Sequence, residues 1–304
     1  MAYRNEFFQS HLPLLKKKLP VADGDGREIG IYFTIFDGVM AQEYDTDAPA
    51  FYAKSVSYAY KQLVTYTDIL ETGIVRIFVE KSCEDQVIPI FENIGITPII
   101  RFFDTQETRD GCTHIVYRTK FVFDAELKQC DYIFSMDDDM WFIPPEEEVP
   151  KFSWSEFTNR HDEKEDGLIA AFGTTDEWFW GVRNYLKEYD FERFNEIAEK
   201  IVIGETKFPG GAVFGFRNSV ALEKFENFFH QYHQYTRHDE AFLYAFVEHE
   251  NIPRAYMDIS TFVLSWLSIG PSSKTSLLNV GRSPMGFSVF ETLTWPWVRY
   301  QIEK

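Results

Sequence analysis

The chain of 304 residues has little positive charge, few cysteines and no long apolar run. Its formal net charge of −18 would repel nucleic acid and anionic membranes, so we expect neither as a partner. No stretch reaches the roughly 18 consecutive apolar residues that a membrane helix needs, and the N-terminus lacks an apolar segment followed by a cleavage site. These absences predict a soluble protein with no signal peptide and no integral membrane segment.

The cysteines are Cys83, Cys112 and Cys130, and their spacing matches neither a paired framework nor a zinc site. Free thiols are typical of a reducing compartment, so we expect a cytoplasmic location. The negative net charge does not exclude a nucleotide ligand, because a bound metal ion or local cations override the global field.

Hydrophobic residues make up 45% of the chain and aromatic residues 17%, enough for the core of one large domain. Short apolar runs alternate with segments of helical spacing, which predicts an α/β fold with a mostly parallel sheet flanked by helices. The predicted strands are residues 30–36, 74–79, 96–103, 131–136, 168–172, 212–216 and 255–259. The predicted helices are residues 48–65, 85–93, 113–128, 218–233 and 238–249, and the tail from residue 269 is predicted to be loop.

An acidic triplet, Asp137-Asp138-Asp139, follows the apolar run DYIFSM directly. Two other Asp-x-Asp patterns lie in polar loops, whereas a strand end in an open parallel sheet faces a ligand crevice. Closely spaced carboxylates attract a hard divalent cation, and diphosphate oxygens complete its coordination shell. Alternation makes Asp137 and Asp139 the main ligand candidates, with Asp138 turned toward a ribose or toward the protein. The alternative is an acidic turn or a solvated charge run.

A glycine-rich segment, FPGGAVFGF, places Gly210 and Gly211 before a strand. Glycine lets a ligand or another backbone approach closely, so this segment is a candidate floor for an acceptor site. The alternative, which the segment taken alone favours slightly, is a tight turn followed by a bulge. Trp178 is a candidate for stacking on an acceptor sugar, although packing in an aromatic cluster accounts for it too.

His238-Asp239-Glu240 opens a predicted helix. A structural interpretation is that Thr236 and Asp239 form a capping box. The functional interpretation is a carboxylate, Glu240 or Asp239, that acts as nucleophile, as stabiliser of an oxocarbenium ion, or as base. Both interpretations stay open at this point.

In order along the chain, DYIFSMDDDMWF, FPGGAVFGF and HDEAFLYAF resemble the corresponding segments of family 6 glycosyltransferases, which include the blood-group A/B and α1,3-galactosyl transferases. The resemblance implies a GT-A (Rossmann-like) fold, Mn²⁺ (or Mg²⁺), a UDP-sugar donor and retention of the anomeric configuration. It implies that Asp137 and Asp139 bind the metal and the diphosphate, that Glu240 is the nucleophile or stabiliser, and that His238 and Asp239 contact the sugar. It also places Phe36 and Asp37 at the uracil and ribose, and makes Arg118 a donor-side cation.

The sequence therefore predicts a metal-dependent glycosyltransferase that moves a hexose or pentose from a nucleoside diphosphate sugar to a glycan hydroxyl. We divide the chain into an N-terminal arm at residues 1–27, a donor-binding half at 28–143, and an acceptor-binding half with the C-terminal tail at 144–304. The alternatives are a nucleotidyltransferase that makes sugar nucleotides and a non-catalytic carbohydrate-binding protein. An inverting reaction with Asp239 or Glu240 as base is also open.

Overall fold

The structure is a computed structural model. It describes residues 18–19, 21, 23, 26–36, 48–104, 115–138, 140–142, 152–162, 166–170, 173–175, 180–256, 262–264 and 277–279. Three candidate site residues, Asp37, Asp139 and Trp178, lie outside these residues.

A seven-stranded sheet forms the centre of the molecule, with the strand order β10-β6-β9-β4-β1-β2-β3. Six strands run in the same direction, and only β9 is antiparallel to its neighbours β4 and β6. The strands of this sheet are β1 (Ile29–Ile35), β2 (Gly73–Glu80), β3 (Ile99–Phe103), β4 (Tyr132–Met136), β6 (Leu168–Ala170), β9 (Val213–Arg217) and β10 (Arg254–Tyr256). The prediction of a mostly parallel sheet in a single domain is confirmed.

Two smaller sheets flank the large one. Strands β5 (Met140–Phe142), β11 (Phe262–Leu264) and β12 (Leu277–Asn279) form the first, with β12 between the other two. Strands β7 (Gly173–Thr174) and β8 (Phe208–Pro209) form the second. The prediction that the tail is entirely loop was wrong at β12, which pairs antiparallel to β5.

Helices cover the sheet on both faces. The α-helices are α1 (Ala48–Tyr66), α2 (Ile69–Thr72), α3 (Glu84–Ile94), α4 (Ile115–Arg118), α5 (Trp154–Asp162), α6 (Trp180–Lys187), α7 (Glu192–Glu199), α8 (Val220–Tyr232) and α9 (Asp239–Glu250). Among the described residues, no helix is both long enough and apolar enough to cross a membrane.

The central strands are apolar on both sides because each side faces a separate core. Ile31 and Phe33 of β1 pack into the first core with Phe134 of β4, whereas Tyr32 and Ile133 point into the second. The second core contains a dense phenylalanine cluster between β9, α8 and α9, namely Phe216, Phe225, Phe228, Phe242 and Phe246. Each fully buried Phe contributes about 1.5–3 kcal/mol, so much of the aromatic content serves packing.

The predicted long helix at residues 113–128 was wrong. Helix α4 ends at Arg118, and two 3-10 turns follow, Thr119–Phe123 and Leu127–Gln129. Asp124 separates them because its Oδ1 accepts hydrogen bonds from the backbone N–H groups of Glu126 (3.0 Å) and Leu127 (3.3 Å). Such local side-chain bonding competes with a continuous helix.

The topology brings three parts of the chain to one edge of the sheet. Because β9 runs antiparallel to β4, the residues before β9 lie beside the residues after β4. Helix α4 precedes β4 along the chain, and helix α9 begins near the start of β9. Asp137, the glycine segment and the His-Asp-Glu segment therefore meet at the carboxyl end of β4.

Candidate active site

Asp137 is the first residue after β4. Its backbone N–H donates a hydrogen bond of 2.8 Å to the carbonyl of Ala212, which fixes the strand end against the glycine segment. Its side chain is 30% exposed, so the carboxylate is partly accessible to solvent. A ligand can reach this carboxylate, while the backbone hydrogen bond to Ala212 keeps the residue in place.

Arg118 is a buried cation at the centre of the site. Its Nη1 donates a hydrogen bond to Asp137 Oδ1 and lies 3.3 Å from Asp239 Oδ2. Its Nη2 donates to the carbonyl of Gly211 at 2.5 Å, and its Nε donates to Ser135 Oγ at 3.3 Å. One guanidinium thus joins β4, the glycine segment and α9.

The charges around Arg118 keep it protonated. Burial opposes the positive charge, but Asp137 and Asp239 outweigh it and raise the pKa of Arg118 above its ordinary value. The Tyr32 hydroxyl donates a hydrogen bond of 2.7 Å to the backbone carbonyl of Arg118, which holds the end of α4 against β1.

Asp239 and Glu240 form the first turn of α9, where the helix dipole favours negative charge. Asp239 is buried, and its Oδ1 accepts the backbone N–H of Glu240 at 2.8 Å. Glu240 is partly buried, and its Oε1 accepts the backbone N–H of Gly211 at 3.0 Å. The two carboxylates therefore accept hydrogen bonds from different backbone N–H groups, although both lie next to Gly211.

Gly211 lies where a larger residue would press on Glu240 and Asp239. A Cβ at this position would lie 3.0 Å from Glu240 Cγ and 3.1 Å from Asp239 Oδ2. Its neighbour Gly210 is also buried. The contacts of Gly211 with Glu240 and Arg118 position the acidic residues, and the acceptor-binding role of both glycines stays a prediction.

The pKa of Glu240 is strongly perturbed. Burial and the nearby negative charge of Asp239 raise the pKa of Glu240 to about 8, although the hydrogen bond from Gly211 favours the ionised form. Arg118 also lowers this pKa, but it already balances Asp137 and Asp239. The surroundings of Glu240 thus disfavour its ionised form, and a further positive charge in the site would favour ionisation.

The capping-box interpretation of the His-Asp-Glu segment was wrong. The cap position is His238, and neither it nor Thr236 caps the helix through a side chain. Thr236 Oγ1 instead accepts the backbone N–H of His238 at 3.3 Å, which shapes the turn before α9. The Asp239 carboxylate accepts a hydrogen bond from the backbone N–H of Glu240 and does not complete a capping box.

No family model matches the sequence, and no curated protein matches it. Among solved structures, the apo form of mouse xyloside xylosyltransferase 1 is similar to 85% of this chain over 99% of its own length, with 10% sequence identity and a TM-score of 0.48. Similarity at this level does not bear on function.

Two further candidate donor residues lie near the carboxyl end of the sheet. Phe36, directly after β1, is partly buried and packs edge-to-face on Phe103, with 5.4 Å between ring centroids. Asp138 is only 8% exposed, and its backbone carbonyl accepts a hydrogen bond of 3.0 Å from Ser55 Oγ. Donor contact by either residue stays a prediction.

The proposed metal site is only partly described. Among the residues that the structure describes, no cluster of three or more His, Cys, Asp or Glu side chains could hold a metal ion. The ligand pair predicted from the sequence includes Asp139, which lies outside them. Of this pair, Asp137 lies in the described part of the chain, and its partly exposed carboxylate is an oxygen ligand of the kind that hard cations prefer.

Sequence reasoning missed Ser135 and Tyr32 as parts of the site. The two residues face each other in the register of β4 and β1. Ser135 accepts from Arg118 Nε, and Tyr32 holds the backbone of Arg118. Their polar groups within apolar strands were the available signal, because a buried hydroxyl needs a hydrogen-bond partner.

Proposed function

We propose that this protein is a metal-dependent glycosyltransferase that transfers a sugar from a UDP-sugar to a glycan hydroxyl with retention of configuration. The observation that carries the proposal is the convergence of Asp137, Asp239 and Glu240 around Arg118 at the carboxyl end of β4. Transfer from a sugar nucleotide needs a site for the diphosphate and a carboxylate near the anomeric carbon, and this cluster offers groups suited to both.

In this proposal, Asp137 and Asp139 hold Mn²⁺ or Mg²⁺ together with the diphosphate oxygens. The metal would stabilise the negative charge of the departing UDP. Arg118 orients the Asp137 carboxylate and compensates its charge, so that the metal ligand keeps one position before the donor binds. Phe36 and Asp37 are the proposed contacts of the uridine.

Glu240 is the proposed nucleophile or ion-pair stabiliser. Its Oε1 is engaged by Gly211, which leaves Oε2 to face the positive charge that develops at the anomeric carbon. The raised pKa of Glu240 means that this role requires loss of a proton, and the positive charge of a bound metal favours that loss. Asp239 contributes by its charge and by its contact with Arg118.

The donor is identified by thermal denaturation with a panel of nucleotide sugars, each measured with and without Mn²⁺. A ligand that binds only the folded state raises the melting temperature by mass action. We expect a shift with one or more UDP-sugars that depends on Mn²⁺. The anomeric configuration of the transferred sugar, measured by NMR, then tests retention, and an inverted product would identify Asp239 or Glu240 as a base instead.

Assays of the released products separate the alternatives. A nucleotidyltransferase would release pyrophosphate from UTP and a sugar phosphate, and a binding protein would give a thermal shift without release of UDP.

A further inference from the structure

Two serines of helix α1 make different hydrogen bonds, although both are buried. Ser57 Oγ donates to the carbonyl of Ala53 at 2.6 Å, which is the usual bond of a serine to its own helix four residues earlier. Ser55 Oγ instead donates to the backbone carbonyl of Asp138 at 3.0 Å. Ser55 therefore connects α1 to the acidic triplet at the carboxyl end of β4.

The carbonyl that accepts from Ser55 lies in a turn. The backbone N–H of Met140 donates a hydrogen bond of 3.3 Å to the carbonyl of Asp137, which closes a β-turn from Asp137 to Met140. Asp138 is the first central residue of this turn. Its carbonyl belongs to the peptide group between the two central residues, and the common turn types differ mainly in the direction of that peptide group. The hydrogen bond from Ser55 therefore holds one direction.

Other elements fix both ends of this turn. On the side of β4, the backbone N–H of Asp137 donates to the carbonyl of Ala212 at 2.8 Å. On the side of β5, Met140 is buried in the same core as Ala53 of α1. The Ser55 side chain is buried as well, so water does not compete for its hydrogen bond. Ser55 thus acts on the peptide group between two anchored ends.

The direction of this peptide group matters for the carboxylates of the triplet. The Asp137 carboxylate is held at the strand end by Arg118. The chain leaves Asp138 toward Asp139 in a direction that the Asp138 carbonyl determines, so the spacing between the carboxylates of Asp137 and Asp139 depends on it. A divalent cation binds its oxygen ligands at about 2.0–2.6 Å, so a change in this spacing weakens binding.

We propose that Ser55 is a positioning residue for the divalent cation, because its hydrogen bond to Asp138 sets the spacing of the Asp137 and Asp139 carboxylates. The inference rests on the proposed function and adds a residue of α1 to it. In this role the Ser55 hydroxyl touches neither the cation nor the donor, and it acts through the backbone of Asp138 alone.

Ser55→Ala tests the hydrogen bond, and Ser57→Ala is the matched control because it removes a buried hydroxyl from the same helix. Binding of Mn²⁺ in the presence of UDP is measured by EPR of the free ion. We expect the dissociation constant to rise about three- to tenfold in Ser55→Ala, as for the loss of one neutral hydrogen bond, and to stay within about twofold in Ser57→Ala. Parental binding of Mn²⁺ by Ser55→Ala, or equal weakening in the two variants, would overturn the inference.

Kinetics separate a positioning role from a general loss of stability. In Mn²⁺ titrations of UDP release, we expect the half-saturating Mn²⁺ concentration of Ser55→Ala to rise by the same factor, while the rate at saturating Mn²⁺ changes less. A loss of stability alone would lower the amount of active protein and leave the half-saturating concentration at the parent value. That second result would show that Ser55 supports the fold and does not position the triplet.

NMR without metal measures the contact itself. The triplet contains the only Asp-Asp pairs of the chain, so aspartate labelled with ¹³C at the carbonyl and ¹⁵N at the amide gives linked signals from this turn alone. We expect the Asp138 carbonyl signal to shift in Ser55→Ala and to stay in place in Ser57→Ala. An unchanged signal in Ser55→Ala overturns the inference whether or not Mn²⁺ binds. A parent protein that binds no Mn²⁺, but whose Asp138 signal shifts in Ser55→Ala, counts against the proposed function instead.

Discussion

The backbone N–H of Gly211 donates a hydrogen bond of 3.0 Å to Glu240 Oε1, and the missing Cβ of Gly211 is what allows Glu240 to approach. This contact joins the glycine segment to the first turn of α9. It gives a structural reason for a glycine at residue 211 that is separate from any contact with a ligand.

Gly211→Ala should displace both Glu240 and Asp239, because the new Cβ would be within about 3 Å of each side chain. The two side chains must yield by a few tenths of an ångström. A displacement of 1 Å in a catalytic group costs up to about 100-fold in rate, so we expect UDP release to fall by a smaller factor, about three- to tenfold. The matched control is Gly204→Ala, at a left-handed position (φ 82°) with no atom within 4 Å of its Cβ. The control should lose stability but keep its rate, and equal rates in the two variants would contradict the proposed role of Gly211.

Replacing Arg118 should affect the fold as well as the activity. Arg118→Met leaves the buried Asp239 without its compensating charge, and removal of one partner from a buried ion pair costs about 3–5 kcal/mol. Urea unfolding monitored by circular dichroism measures this loss. Arg101→Met removes an exposed arginine that pairs with Glu126, and such surface pairs contribute about 0–1 kcal/mol. Comparable losses in the free energy of unfolding for the two variants would contradict the assignment of Arg118 as a buried arginine that compensates Asp239.

Glu240→Gln should change how stability depends on pH. Because the pKa of Glu240 is raised from 4.5 to about 8 in the folded state, the folded protein binds more protons than the unfolded chain between these values. This group therefore makes stability fall as pH rises from about 4.5 to about 8. Thermal denaturation should show the Gln variant gaining stability relative to the parent between pH 5.5 and pH 8.5, and a constant difference would mean that the pKa is not raised.

Glu126 should show the opposite pH dependence. Its hydrogen bond from the buried Arg76 lowers the pKa of Glu126 from 4.5 to about 2, since the attraction outweighs the effect of burial, and Arg101 adds to it. A lowered carboxyl pKa stabilises the fold above about pH 4.5, and this contribution is lost as pH falls through 2. Urea unfolding of Glu126→Gln should show a loss of stability at pH 7 that shrinks toward pH 2. A loss of the same size at both values would point to packing rather than charge.

The sequence was sufficient to predict the central sheet but not the contacts that assemble the site. Strands β1 and β4 are continuous apolar runs, which identified them as buried between two helical layers. The sequence prediction continued helix α4 as far as residue 128, because the spacing of apolar residues does not reveal the hydrogen bonds that Asp124 accepts.

The candidate site was predicted in its residue types and not in its geometry. The strand end located Asp137, and helix spacing located Asp239 and Glu240. The burial of Arg118 among them depends on β9 returning antiparallel beside β4, a long-range pairing that local pattern does not encode. The sequence allowed two interpretations of Gly211, a tight turn or the floor of an acceptor site. The pairing of β9 with β4 explains why this residue instead lies against Glu240.

The most direct test of the proposed function is release of UDP from UDP-sugars by purified protein, with and without Mn²⁺, in the parent and in the double variant Asp137→Asn/Asp139→Asn. Asp85→Asn, an exposed residue at the start of α3, serves as the control. We expect release that requires Mn²⁺, persists in the control and is abolished in the double variant, which stays folded by circular dichroism although the loss of the Asp137 charge beside Arg118 lowers its melting temperature. Full release by the folded double variant, or equal release by the parent after removal of all divalent metal, would contradict it.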